Sequence, residues 1–317
     1  MKQRLQKMIG VIVTMCLIAI FVTVPGHLLR PIDCDICVDA IETFHKVPED
    51  SLDVIGFGSS HMWRSLNAME MYENYGIEAY NYGCNWQHLN TTLLFMQDAF
   101  RTQSPKVVLV ECFRVNELLI NVDLEGEIYY TSKLPATEER QEYLKQCFGN
   151  DIERYLSYYL PIYGFHDNWS NIGRPSFMES SSTYDFTKTR GYVDTIGQVP
   201  ITLGDASTFV QNPLSGEAVA LLDKMVALCE ENGAKLIFYV TPYQGEWGYR
   251  DAMKTYAKEK ECVFFDFFEL AGEVGIDANT DFEDPGHTNT TGANKITNYL
   301  SKYIVENYEF VLVEKSE

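Results

Sequence analysis

Five short apolar runs punctuate the chain, and helical spacing fills the gaps between them. LDVIGFG at 52–58, KVVLVEC at 106–112 and KLIFYV at 235–240 are nearly continuous in apolar residues. Strands covered on both faces look like this, because neither face can be left polar. EAYNYG at 78–83 and VFFDF at 263–267 complete five predicted strands. A helix is predicted over 65–75, and Leu89, Leu93, Met96 and Phe100 recur at helical spacing. Over 215–232, Val219, Leu222, Met225, Val226 and Cys229 form one stripe, and Gly233 follows as a stop signal. A polar helix over 248–260 and a last helix from about 291 to 307 close the pattern. Strands alternating with helices imply parallel pairing through right-handed crossovers. The expected fold is therefore α/β: a three-layer α/β/α sandwich on a flavodoxin-like, five-stranded parallel sheet. In such sheets ligands sit beyond the carboxyl ends of the strands.

Two stretches break this rhythm. At the N-terminus, Lys2, Arg4 and Lys7 precede an uncharged run over 8–25. Eighteen helical residues rise about 27 Å, close to the ~30 Å hydrocarbon core of a bilayer. The basic flank predicts a cytoplasmic N-terminus and an exported body. A cleaved signal peptide is the competing reading, but no small-residue cleavage site closes the run. The expectation is a single-pass membrane anchor over 1–30, a linker over 31–50 and a catalytic domain over 51–310. Residues 113–214, rich in Tyr, Ser and Asn, read as an insertion into that domain on the catalytic face, packing on the sheet or covering the site.

The net charge of −20 disfavours nucleic acid as a partner, since binding phosphates needs a basic face. The eight cysteines do not form a dense disulfide framework. Cys34 and Cys37 make a C-x-x-C without the preceding strand of a thioredoxin-type site. They also lack a second ligand pair for zinc. No metal and no cofactor are expected.

The first strand ends on GSSH at 58–61. A serine hydroxyl is a weak nucleophile and needs a base within hydrogen-bond reach, itself held by a third group. Of the six histidines, His287 lies in DPGH, after the fifth strand and before the last helix, again at the carboxyl edge. Asp284, three residues earlier, is placed to bond the Nδ1 of the same ring, leaving Nε2 for the serine. Competing readings are that Ser60 only caps the next helix and that Asp284 and His287 form an ordinary surface turn. Trp63, Arg64, Trp86 and Tyr243 lie near strand ends and are candidates for a substrate wall, as is His61; packing roles compete for each. Glu111 ends the third strand as a candidate supporting group.

GSSH after the first strand, NYG after the second and DPGH before the last helix resemble the SGNH hydrolase superfamily over about residues 50–307. The resemblance implies Ser60 as nucleophile, His287 as base and Asp284 as its orienting group. It implies the Gly83 N–H as an oxyanion donor. The GSS form, and Asn289 and Gly292 after DPGH, resemble membrane-anchored cell-envelope members of the alginate O-acetyltransferase and D-alanyl-lipoteichoic-acid-transfer types. The family's third block, G-x-N-D, is replaced here by ECFRVNE, where Asn116 is the candidate side-chain donor. The implied activity is an extracytoplasmic serine esterase or O-acyltransferase. Its substrate would be a small acyl ester or the acyl esters of a cell-envelope glycan or polymer, with a membrane-bound O-acyltransferase as a candidate partner. The alternative is an inactive envelope-assembly protein on the same fold. A cytoplasmic-facing esterase would require the anchor to run the other way.

Overall fold

The computed structural model describes residues 2–119 and 125–309. The residues around 120–124 of the expected insertion, and the domain end at 310, lie outside the described residues. The apolar runs form one parallel sheet in the order β2-β1-β3-β4-β5, with β1 at Val54–Phe57, β2 at Ala79–Asn81, β3 at Val107–Glu111, β4 at Lys235–Val240 and β5 at Val263–Asp266. Val54 pairs with Ala79 on one side and Val107 on the other. The chain steps outward from β1 to β2, then returns to β3 on the far side of β1. The strand order therefore reverses between β1 and β3, where open α/β sheets place their sites.

Alternation along the strands sends side chains to opposite faces. Val54, Val107, Leu109, Ile237 and Tyr239 share one core with Met71 of α4 (Ala68–Tyr75) and with Ile296, Leu300 and Ile304 of α14 (Thr290–Asn307). On the other face lie α5 (Leu89–Ala99), α11 (Gly216–Glu231) and α12 (Arg250–Glu259). There Phe95 packs on Tyr82 at 4.7 Å between ring centroids, and Tyr256 on Phe238 at 6.2 Å. The helix expected over 65–75 forms as α4, starting three residues later, and a separate single turn, α3 (Ser60–Trp63), precedes it. Asn67 separates them by accepting the Met69 and Glu70 N–H groups at the start of α4. The expected linker over 31–50 contains α2 (Asp35–Phe44), whose Phe44 stacks on Tyr82 at 4.1 Å.

The chain divides into two compact units. The sheet belongs to residues 39–119 and 184–317, which also hold the short α10 (Phe186–Thr189) and α13 (Ala271–Val274). Residues 1–38 and 120–183 form the other unit. The expected insertion is thus shared out, with 113–119 and 184–214 in the sheet unit and 120–183 grouped with the N-terminal helix. That second unit holds α1 (Lys2–Leu28), α6 (Glu125–Thr131), α7 (Glu138–Phe148), α8 (Ile152–Tyr159) and α9 (Pro161–Gly164). The stretch Gln3–Leu28 of α1 is long and apolar enough to cross a membrane. Just beyond it, buried Arg30 pairs with Asp35 at 2.8 Å and donates to the carbonyls of His27, Ser176 and Met178. Burial, together with Cys37 and nearby carboxylates, pushes the Cys34 thiol far up, the reverse of what a redox-active thiolate requires.

Candidate active site

The turn after β1 is built for close approach. Gly58 has φ +154°, and a Cβ there would lie 3.0 Å from the Glu111 Cβ and 3.2 Å from the Glu111 carbonyl oxygen. Only glycine fits such a backbone pressed against β3. Ser59 then caps α3, its hydroxyl accepting the His61 N–H at 3.4 Å. The cap role thus falls to Ser59, and the Ser60 hydroxyl turns to His287 instead, with Oγ 2.9 Å from Nε2. The His287 Nδ1 lies 3.0 Å from each carboxylate oxygen of Asp284.

This geometry is held from both sides. Asp284 Oδ1 also accepts the backbone N–H groups of Gly286 and His287, at 2.6 and 3.0 Å. Partial burial pushes the Asp284 carboxyl up. The hydrogen bond and charge of His287 and the two backbone N–H groups outweigh that and hold it below its ordinary value. The Thr288 hydroxyl donates to the Arg64 carbonyl at 2.7 Å, tying the DPGH loop to the end of α3. Asn289 caps α14 and donates to the carbonyls of Gly197 and Thr280. An extended segment of the sheet unit braces both loops: Val193 N–H donates to the Trp63 carbonyl, Val199 N–H to that of Phe282, and Thr290 N–H to that of Thr195.

His61 sits beside Ser60 in the chain, buried, with its ring 5.1 Å from that of His287. Its Nδ1 meets the Thr241 hydroxyl at 2.9 Å, and its ring stacks on Phe113 at 3.8 Å. Burial, with His287 and Arg114 nearby, pushes its pKa well down, so it is neutral at physiological pH. Tyr243 packs at 5.5 Å from the His61 ring and donates to the Glu246 carbonyl. Burial, with Glu111, Glu117 and Glu246, pushes its hydroxyl up to about 12. Beneath this layer, Glu111 accepts the Phe113 N–H at 3.0 Å. Burial raises its carboxyl to about 8 against backbone hydrogen bonds from Phe113 and Thr241 that lower it. Glu111 thus holds the two residues that hold His61. Phe113 and Thr241 went unpredicted, although Thr241 directly follows the fourth apolar run, at the same edge as Ser60.

Other predicted residues are placed differently. The Gly83 N–H donates to the Asn81 side-chain oxygen at 3.2 Å, so it is not presented to an oxyanion in this conformation. Gly83 has a packing reason instead: a Cβ there would meet Met62 Cγ at 2.9 Å and the Gly58 carbonyl at 3.1 Å. Asn116 is also occupied at both ends. Its amide donates to the Tyr249 hydroxyl at 3.4 Å, and its oxygen accepts the Ser215 N–H at 2.7 Å. That assigns Asn116 to joining the loop after β3 to the start of α11. Trp63 is buried, as its packing reading expects. Arg64 pairs with Glu283 at 2.9 Å, another brace between α3 and the DPGH loop. Trp86 is 56% exposed, with φ +59°, an uncommon backbone for a bulky residue. The Arg114 guanidinium lies 5.1 Å from the centre of its ring. The Ser60 N–H, at the first position of α3, is one of the donors that a helix start leaves without an intrahelical partner.

No family model matches this chain, and no curated protein matches it. Among solved structures, it is similar to the crystal structure of a putative acylhydrolase from Bacteroides fragilis NCTC 9343. The match has a TM-score of 0.40 and 11% identity, over 84% of this chain and 93% of that one.

Proposed function

We propose that this protein is a membrane-anchored serine esterase or O-acyltransferase of the SGNH type, acting on acyl esters outside the cytoplasm. The observation that carries this reading is the chain of hydrogen bonds from Ser60 through His287 to Asp284. Asp284, ionised, accepts from Nδ1–H and fixes the tautomer that leaves Nε2 basic. His287 Nε2 takes the Ser60 proton as Oγ attacks the ester carbonyl. It then returns that proton to the departing alkoxide. Water, or a sugar or polyol hydroxyl, enters by the same route and releases the acyl group. Charge on the tetrahedral oxygen is met by the Ser60 N–H. Gly83 joins only if its N–H leaves Asn81. The cell-envelope glycan as acceptor and the membrane-bound O-acyltransferase as acyl source belong to this proposal.

The occupied donors at Gly83 and Asn116 favour a second reading, a non-catalytic assembly protein on the same fold. A membrane-impermeant fluorophosphonate applied to intact cells separates the two. The expected result is covalent labelling of Ser60, lost in Ser60→Ala and His287→Ala, with ester turnover reduced roughly a millionfold in either variant. Asp284→Asn should lower turnover by roughly 10⁴-fold. Absence of labelling in intact and lysed cells alike would leave the second reading standing. Labelling only after lysis would reverse the orientation.

A further inference from the structure

The apolar side chains that the fold leaves in solvent are concentrated in one stretch of the chain. Outside α1, most of the exposed large hydrophobic residues fall between 152 and 178, in the unit that contains α1. Ile152, Leu156 and Tyr159 stand at i, i+4 and i+7 along α8, one uncovered stripe of that helix. Trp169 is 66% exposed and Phe177 70% exposed, with Met178 beside it. Soluble proteins seldom leave such a cluster uncovered without a partner for it.

Its position identifies the partner. The end of α1 is fastened to this segment. A Cβ on Gly26 would lie 3.1 Å from the Pro161 Cβ and 3.3 Å from the Ile162 nitrogen. His27 Nε2 is 2.9 Å from the Met178 carbonyl oxygen, and Asn168 donates to the Leu29 carbonyl at 3.1 Å. If residues 8–25 fill the hydrocarbon core, Gly26 and His27 stand at the level of the lipid headgroups. Pro161, Ile162 and Met178 touch them and stand at that level too. Aromatic side chains are enriched at this depth, where an apolar ring and a polar edge are both satisfied.

We propose that the face formed by α8, Trp169 and Phe177 lies in the bilayer interface as a collar around the exit of α1, with lipid as its partner. The proposal rests on α1 spanning the membrane and is independent of the chemistry at Ser60. The full chain carries four tryptophans, none in α1. It is reconstituted into phosphatidylcholine vesicles, washed at alkaline pH and measured in lipid brominated close to the headgroup. Bromine quenches only indoles that it touches, and Trp63 and Trp247 are buried. The expected result is quenching in brominated lipid, with most of its amplitude lost in Trp169→Phe and regained when Phe177→Trp is added. A vesicle-bound protein whose quenching is unchanged by Trp169→Phe overturns the collar and leaves that face to a protein partner. A chain stripped from vesicles by the alkaline wash overturns the span, and the collar with it, before any fluorescence is read.

Discussion

Glu111 offers a stability test of the architecture under the site. Its carboxyl is buried, and burial raises it to about 8 from an ordinary 4.5, a difference of about 3.5 pH units. At about 1.4 kcal/mol per pH unit, ionising it inside the fold costs up to ~5 kcal/mol. The folded state holds this proton more tightly than the unfolded chain does. The group therefore contributes no penalty below about pH 4.5. Stability falls as pH rises from there towards 8, where the penalty is complete. Glu111→Gln keeps the shape and removes the titration. In detergent, the thermal midpoint of the sheet unit should be nearly the same in parent and variant at pH 5. By pH 9 the variant should melt higher, by an upper bound of about 10–20 °C at ~2–4 °C per kcal/mol. Differential scanning fluorimetry across this range gives the comparison. Parallel pH curves for the two proteins would mean that Glu111 is not the buried proton-holding group described here.

Two further outcomes follow from how the remaining residues are held. Asn116→Ala should leave turnover of a small soluble ester unchanged while lowering stability by about 1 kcal/mol, since the lost bonds join a loop to the start of α11. A hundredfold fall in kcat with unaltered stability would return Asn116 to the chemistry. Trp86→Ala should raise KM for an acylated oligosaccharide at least several-fold with little change for a small ester, as expected of an exposed ring acting as a binding platform. Equal effects on both substrates would assign Trp86 to holding the loop.

What could be read from the sequence depended on how far each property reaches along the chain. The strands were legible because burial on both faces writes an apolar run into consecutive residues. The meeting of Ser60 with His287 was legible because parallel topology brings every strand end to one edge. The direction of a single donor was not, since it is decided by partners elsewhere. Asn81 takes the Gly83 N–H, Tyr249 takes the Asn116 amide N–H, and the Ser215 N–H donates to the Asn116 oxygen. Trp63 reads as a rim residue when 65–75 is taken as the first helix. Once α3 forms at 60–63, the indole turns inward. The stripe on α8 was present in the spacing of Ile152, Leu156 and Tyr159. It was hidden by its aromatic and polar neighbours, and its meaning depends on where α1 ends.

The same distinction bears on the chemistry. Ser60, His287 and Asp284 are in hydrogen-bond contact, braced by Thr288, by Asn289 and by the Arg64–Glu283 pair. The oxyanion side is not assembled in the same way. Its remaining candidate is the Ser60 N–H, at the start of α3 where a helix leaves its first donors without intrahelical partners, and losing one oxyanion donor costs roughly a hundred- to a thousandfold in rate. The Gly83 bond to Asn81 spans 3.2 Å, while the Asn81 amide is anchored by the carbonyls of Met62 and Leu66 at 2.9 and 2.8 Å. Asn81 is therefore the fixed member and Gly83 the one to move. Releasing a neutral hydrogen bond of this kind costs about 1 kcal/mol, less than the ~3 kcal/mol that a recruited oxyanion donor returns in the transition state. On that balance, under the proposed esterase reading, an acyl ester bound over Ser60 would draw the Gly83 N–H to itself, and the substrate would complete the oxyanion side of the site.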